Sequence, residues 1–234
     1  MTAAPPPAEP VDPVDQLRRQ LDVVRSRIVD AGGDLAAVRI IGVTKGVDAA
    51  RLLAAPAAGL RDLGESYAQE LAGKADGPLA DQPDLRWHFI GRLQRNKVRL
   101  VAPHVHLWQS IDRLSLAAEV ARRAPGARAL VQVNVSGSDR QGGCPPERVA
   151  ATVEGCRDLG LRVLGLMAIG PQGAPDDVRA AFARVRALAD RLELPERSMG
   201  MSSDLEPAVA EGSTMVRVGT ALFGPRRGAG TVGK

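Results

Sequence analysis

The chain has 234 residues, of which 44% are hydrophobic, enough to bury the core of one domain or of two small ones. The net charge is +4, but the arginines are scattered among acidic residues and aromatic residues make up only 3%, which argues against a specific nucleic-acid surface. No apolar run approaches the roughly 18 to 20 residues of a membrane span, and two cysteines with three histidines form no recognisable metal-ligand set, so we expect a cytoplasmic protein without a metal.

The amino terminus is rich in proline and has neither a basic start nor an apolar run. We predict that residues 1–14 are a disordered tail rather than a signal peptide. After residue 14, apolar residues recur at helical spacing (Leu17, Leu21, Val24 and Ile28), and a glycine pair follows them. This pattern predicts an extra helix before the first strand. We also expect residues 229–234 to be a flexible carboxyl terminus.

Eight apolar runs follow, and a helix or a helical turn is predicted after each of them. The predicted strands lie at residues 38–45, 60–66, 86–91, 105–111, 127–135, 161–169, 198–202 and 214–224. Strands that alternate with helices pair in parallel through helical crossovers. An open doubly wound sheet is disfavoured because no GxGxxG loop follows the first strand. We therefore predict one α/β domain over residues 15–228, folded as a (β/α)8 TIM barrel.

Several polar or small residues stand at or near the ends of these predicted strands. They are Lys45, Ser66, Ser202, Arg217, Gly219 and Thr220. A lysine at a strand end is most often a solvated surface group. In a barrel, however, the loops that follow the strands converge on one face, so the topology would bring these residues to one mouth.

The eighth unit and the seventh together predict a phosphate site. Gly219 and Thr220 follow an apolar run and would offer backbone N–H groups and a hydroxyl to an anion, with Ser202 on the other side of the gap. Alternation along MVRV directs Arg217 towards the barrel mouth. Two interpretations of Arg217 remain open: it pairs with an internal carboxylate, or it holds a ring nitrogen or an acidic ligand.

A lysine that faces a phosphate site suggests the chemistry of a phosphorylated carbonyl compound. A partly desolvated Lys45 near Arg217 would present an uncharged amine as a nucleophile. One candidate is an aldolase-like enzyme that acts on a sugar phosphate. The other is a Schiff base between Lys45 and pyridoxal phosphate.

Several long stretches give the chain a specific resemblance to a known family. The stretches are GVTK, GESYAQE, WHFIGRLQRNK, SIDR, GLMAI and MGMSSDLEPAVAEGSTMVRVGTALFG, and they run from the first strand to the last. The chain resembles the pyridoxal phosphate homeostasis proteins, relatives of the amino-terminal barrel of alanine racemase. The resemblance implies that Lys45 is the Schiff-base lysine for pyridoxal 5'-phosphate (PLP). It also implies that Ser202, Gly219 and Thr220 hold the phosphate and that Arg217 faces the pyridine nitrogen.

The sequence departs from the family pattern at three places, one of which is GVD after Lys45 in place of the usual lysine-proline. Ser66 stands where the family usually has an asparagine, so the polar group at this cofactor-binding position lies on a shorter side chain. In the loop after the fifth strand, Arg140 and Gln141 stand where the family has a lysine. Arg140 can replace that lysine in charge only, because a guanidinium is a poor nucleophile.

The resemblance implies storage and transfer of PLP within the cell, with little or no catalysis. An arginine at the pyridine nitrogen weakens the ring as an electron sink, and we expect no second domain to supply another acid or base. The alternatives are a PLP-dependent amino-acid racemase and a Schiff-base aldolase without a cofactor. The expected partners are PLP and PLP-dependent apo-enzymes, and without a long exposed apolar stripe we expect a monomer.

Overall fold

The computed structural model describes residues 12–138 and 141–224. Residues 1–11 of the predicted tail, Arg140 and the predicted flexible end at residues 229–234 lie outside the described residues. Within the described ranges, no helix is both long enough and apolar enough to cross a membrane.

Eight parallel strands close into a barrel in which each strand pairs with the next along the chain and the last pairs with the first. This arrangement confirms the predicted (β/α)8 barrel. Apolar residues predominate in most of these short strands because both of their faces are covered, one by the barrel interior and the other by the helices. The strands are β1 Arg39–Val43, β2 Asp62–Glu65, β3 Arg86–Phe89, β4 Val105–Ile111, β5 Arg128–Val133, β6 Arg162–Ala168, β7 Glu196–Ser198 and β8 Met215–Val218.

Helices surround the barrel, and the predicted extra helix α1 precedes β1. Helix α1 begins at Pro13, where the side chain of Asp12 accepts a hydrogen bond from the backbone N–H of Val14. Pro13 and Val14, which the sequence had placed in the tail, are therefore helical. The helices are α1 Pro13–Asp30, α2 Ala49–Leu52, α3 Ala68–Ala75, α4 Val98–Val101, α5 Leu114–Arg123, α6 Val149–Asp158, α7 Pro175–Arg191, α8 Leu205–Ala210 and α9 Thr220–Phe223.

The amphipathic pattern of α1 explains where this extra helix packs. Its four buried apolar residues are the ones that the spacing predicted, Leu17, Leu21, Val24 and Ile28. They face the outer side of the barrel, where α1 packs against α8 and α9. Helix α1 therefore covers the part of the barrel wall where the last strand meets the first.

The seventh strand differs from its prediction. It covers residues 196–198 instead of 198–202, because the backbone of Gly200 adopts a φ of 88° and turns the chain out of the sheet. A side chain could not replace that glycine, since its Cβ would lie 2.6 Å from the Cβ of Ala208. The residues after Gly200 therefore form a turn at the carboxyl end of the barrel.

The pairing of β8 with β1 determines which residues lie next to each other at the carboxyl end of the barrel. Arg217 is opposite Ile41 in the register, and Val218 is opposite Gly42. Gly219 directly follows Val218, and Lys45 lies two residues beyond the end of β1, so both residues emerge at the same mouth of the barrel. Residues far apart in the sequence are brought together by barrel closure alone.

Candidate functional site

Lys45 lies two residues beyond the end of β1, where it is partly buried. Gly46 follows it with a φ of 69°, a left-handed conformation that favours glycine. The backbone on both sides of Lys45 is held from α3. The Nζ of Lys74 donates to the carbonyl oxygen of Thr44 at 2.7 Å, and Glu70 Oε2 accepts from the N–H of Gly46 at 2.9 Å.

A buried ion pair anchors this arrangement. The carboxylate of Glu65, at the end of β2, is fully buried, and its Oε2 accepts from Lys74 at 2.7 Å and from the Thr44 hydroxyl at 2.8 Å. Glu70 Oε2 lies 2.9 Å from the same ammonium group. Burial opposes the ionised form of Glu70, but hydrogen bonds from Gly46 and Lys74 outweigh it and lower the pKa of that carboxyl.

Sequence reasoning missed the contribution of Lys74 and Glu70 to this site. Their spacing of four residues is the ordinary pattern of an exposed ion pair on a helix, so nothing distinguished them from surface charges. The useful signal was GES at the end of β2. A glutamate that ends a buried strand needs a cation or several donors, and α3 supplies Lys74.

The loop after β8 provides hydrogen-bond donors for an anion. Gly219 lies between β8 and the short helix α9, which starts at Thr220. The backbone N–H groups of Gly219, Thr220 and Ala221 donate to no acceptor in the described ranges of the chain. Such N–H groups in the first turn of a helix are free to bind a phosphate.

Lys45 and this loop share one small cavity. Its volume is about 30 Å³, and it is lined by Val43, Lys45, Val47, Gly219, Thr220, Phe223 and Gly224. A Cβ on Gly219 would point towards Val43, 3.4 Å from its Cβ, so the glycine keeps this wall of the cavity open. The cavity thus combines an amine, unpaired N–H donors and a threonine hydroxyl, a donor set that fits a phosphorylated aldehyde.

Arg217 is buried in the barrel and has unusual partners. Its Nη1 donates to the carbonyl oxygen and to the hydroxyl of Ser198, at 2.8 and 2.7 Å, and its Nη2 donates to the carbonyl oxygen of Ala168 at 2.8 Å. Burial lowers its pKa to about 10, against the opposing effect of Asp204, so the guanidinium is charged at neutral pH. In the described residues it forms no salt bridge, so a direct carboxylate pair does not hold it.

The remaining predicted residues lie elsewhere at the barrel mouth. Ser202 is partly buried in the turn after β7, and its carbonyl oxygen accepts a hydrogen bond from Arg27 at 2.9 Å. Ser66 lines a different cavity, together with the basic side chains of Arg92, Lys97 and Arg113. The structure therefore brings Lys45 together with Gly219 and Thr220, but it places Ser66 apart from them.

Comparisons with known proteins identify the family of this barrel. The model of the family "Alanine racemase, N-terminal domain" matches residues 13–227. The pyridoxal phosphate homeostasis protein of Pseudomonas aeruginosa is 46% identical over 211 residues, which cover 87% of this chain and 91% of that protein. The human protein of the same name is 34% identical, with coverage of 90% and 85%.

A solved structure supports the same relationship. PipY of Synechococcus elongatus, determined with PLP bound, superposes with a TM-score of 0.80 at 36% sequence identity. The match covers 89% of this chain and all of that one. Because the similarity extends over nearly the whole barrel at these identities, the chain belongs to the pyridoxal phosphate homeostasis protein family.

Proposed function

We propose that this chain binds PLP at the carboxyl end of its barrel and serves in the homeostasis of that cofactor. The observation that carries the proposal is the shared cavity of Lys45, Gly219 and Thr220. The PLP found in the related PipY structure and the names of the relatives support it. An aldolase without a cofactor has no comparable support.

Each residue of the proposed site has a defined task. Bound PLP supplies an aldehyde that an uncharged lysine amine can hold covalently. Lys45 would provide that amine, and the N–H groups of Gly219 and Thr220 would bind the phosphate. Arg217 would donate towards the pyridine nitrogen, and Ser202 would add a hydroxyl near the phosphate. Ser66 would contact the cofactor only from the neighbouring cavity.

Borohydride reduction followed by peptide mapping tests the assignment of Lys45. The chain has four lysines, Lys45, Lys74, Lys97 and Lys234, so each possible attachment site is distinguishable. We expect the phosphopyridoxyl label on Lys45 alone, and we expect Lys45→Ala to lose the visible absorbance of the bound cofactor. Lys97→Ala, a change at the neighbouring cavity, is the matched control and should keep it. A label on another lysine would refute the assignment.

We further propose that the protein holds and releases PLP without turnover. An arginine that donates to the pyridine nitrogen disfavours protonation of the ring, and this weakens electron withdrawal from a bound amino acid. Incubation with L-alanine should leave its optical activity unchanged, whereas a racemase would abolish it. Transfer to a PLP-dependent apo-enzyme, measured as recovered activity of that enzyme, tests the delivery role. The cytoplasmic location remains a prediction.

A further inference from the structure

A row of buried polar side chains crosses the interior of the barrel and ends at Arg217. The Nη1 of Arg217 lies 2.7 Å from Ser198 Oγ, which lies 2.7 Å from Gln109 Oε1. Gln109 Nε2 lies 2.8 Å from His88 Nδ1, and His88 Nε2 lies 2.9 Å from Asp62 Oδ1. The five residues come from five strands, and none is more than 6% exposed.

One arrangement of protons satisfies every hydrogen bond in the row. An ionised Asp62 only accepts, so His88 must donate from Nε2 and accept at Nδ1. The Gln109 amide then donates to His88 from its nitrogen, and its oxygen accepts from the Ser198 hydroxyl. Arg217, which only donates, supplies the last hydrogen bond to Ser198. Every member therefore donates to the next in one direction, from Arg217 to Asp62.

The reverse orientation of Gln109 would require a charged His88. If the amide oxygen faced Nδ1, both ring nitrogens would have to carry protons. Burial lowers the pKa of His88; Asp62 opposes that shift, while Arg39 and Arg86 add to it. The ring of His106, whose centroid lies 6.0 Å from that of His88, carries no negative charge that would stabilise a charged His88. Neutral His88, protonated on Nε2, is thus the state that the surroundings favour.

We propose that Ser198, Gln109, His88 and Asp62 form a positioning relay for Arg217. Together with the carbonyl oxygens of Ser198 and Ala168, the relay holds the guanidinium in one orientation from within the barrel. An ordinary salt bridge would require a carboxylate at the mouth. A ring nitrogen that faces Arg217 would then meet a donor only and would stay unprotonated. This last consequence rests on the proposed PLP site, but the relay itself does not.

The direction of the relay is measurable without any cofactor. Nitrogen–proton correlation spectra of the three histidine rings, assigned with His104→Gln and His106→Gln, report each tautomer and charge. We expect His88 to be neutral with its proton on Nε2 at neutral pH. We also expect Gln109→Glu, whose ionised carboxylate can only accept, to make His88 doubly protonated. A wild-type His88 that is protonated on Nδ1, or on both nitrogens, would overturn the proposal.

The effect on Arg217 is tested with PLP itself. Gln109→Met keeps the volume but removes both hydrogen bonds, and Gln132→Met, another buried glutamine on a barrel strand, is the matched control. In Gln109→Met only, we expect the Kd for PLP to rise about fivefold, equivalent to about 1 kcal/mol. The pH dependence of the cofactor absorbance should also change in that variant and not in Gln132→Met. Equal behaviour of the two variants would refute the relay. If wild type binds no PLP, the proposed function fails and the histidine spectra still decide the relay.

Discussion

Replacement of Lys74 by methionine is expected to lower the free energy of unfolding by about 3 kcal/mol. The methionine keeps most of the volume of the lysine, so the change removes the ammonium group and little packing. Lys74 is buried and donates to Thr44, Glu65 and Glu70. Its loss leaves the fully buried carboxylate of Glu65 without a cation.

The magnitude follows from what remains around that carboxylate. Breaking a buried ion pair by removing one partner costs about 3 to 5 kcal/mol. Glu65 keeps the Thr44 hydroxyl and the N–H groups of Ser66 and Tyr67, at 2.8, 2.7 and 3.2 Å, which places the cost at the lower end. The contact with the more exposed Glu70 adds at most about 1 kcal/mol.

Urea unfolding followed by circular dichroism measures this change. Lys97→Met, a partly buried lysine with no carboxylate partner in the described ranges, is the matched control and should shift the free energy by less than about 0.5 kcal/mol. The double variant Lys74→Met with Glu65→Gln should recover part of the loss, because it removes the unpaired buried charge. A loss below about 1 kcal/mol for Lys74→Met would refute this account of Glu65.

Three further outcomes are expected. Because the folded-state pKa of His88 lies below the unfolded value of about 6.5, the free energy of unfolding should fall as the pH drops below that value. In His88→Gln, the free energy of unfolding measured with urea should depend less on pH between pH 6.5 and 5. An unchanged slope would contradict a buried neutral ring. Thr220→Val, at an exposed position, should raise the Kd for PLP about fivefold, or about 1 kcal/mol, and should leave the free energy of unfolding unchanged. If a fluorescence titration gives equal affinities for the variant and the wild type, the Thr220 hydroxyl does not bind the phosphate. Light scattering after size exclusion should give the mass of a monomer, and a mass twice as large would contradict the expected state.

The fold could be predicted from the local pattern of apolar and polar residues, because each strand and helix depends mainly on residues that are close together in the sequence. Apolar runs separated by helical periodicity define eight units, and the absence of a GxGxxG loop after the first strand favours a closed barrel over an open doubly wound sheet. The same reasoning located Lys45 and the pair Gly219 and Thr220, since a residue that ends a parallel strand must lie at the mouth. The limits of the strands were less certain, as the left-handed Gly200 in the seventh unit illustrates.

Only the tertiary structure decided which buried polar groups meet. Lys74 looks like a surface lysine in the sequence, yet the packing of α3 places its ammonium group against Glu65 and the backbone beside Lys45. Likewise, Gln109 and His88 gain their roles from strand register and barrel closure, which set distances between side chains that are far apart along the chain. Hydrogen bonds are effective over about 3 Å, so they depend on the final packing and leave no periodic signal in the sequence.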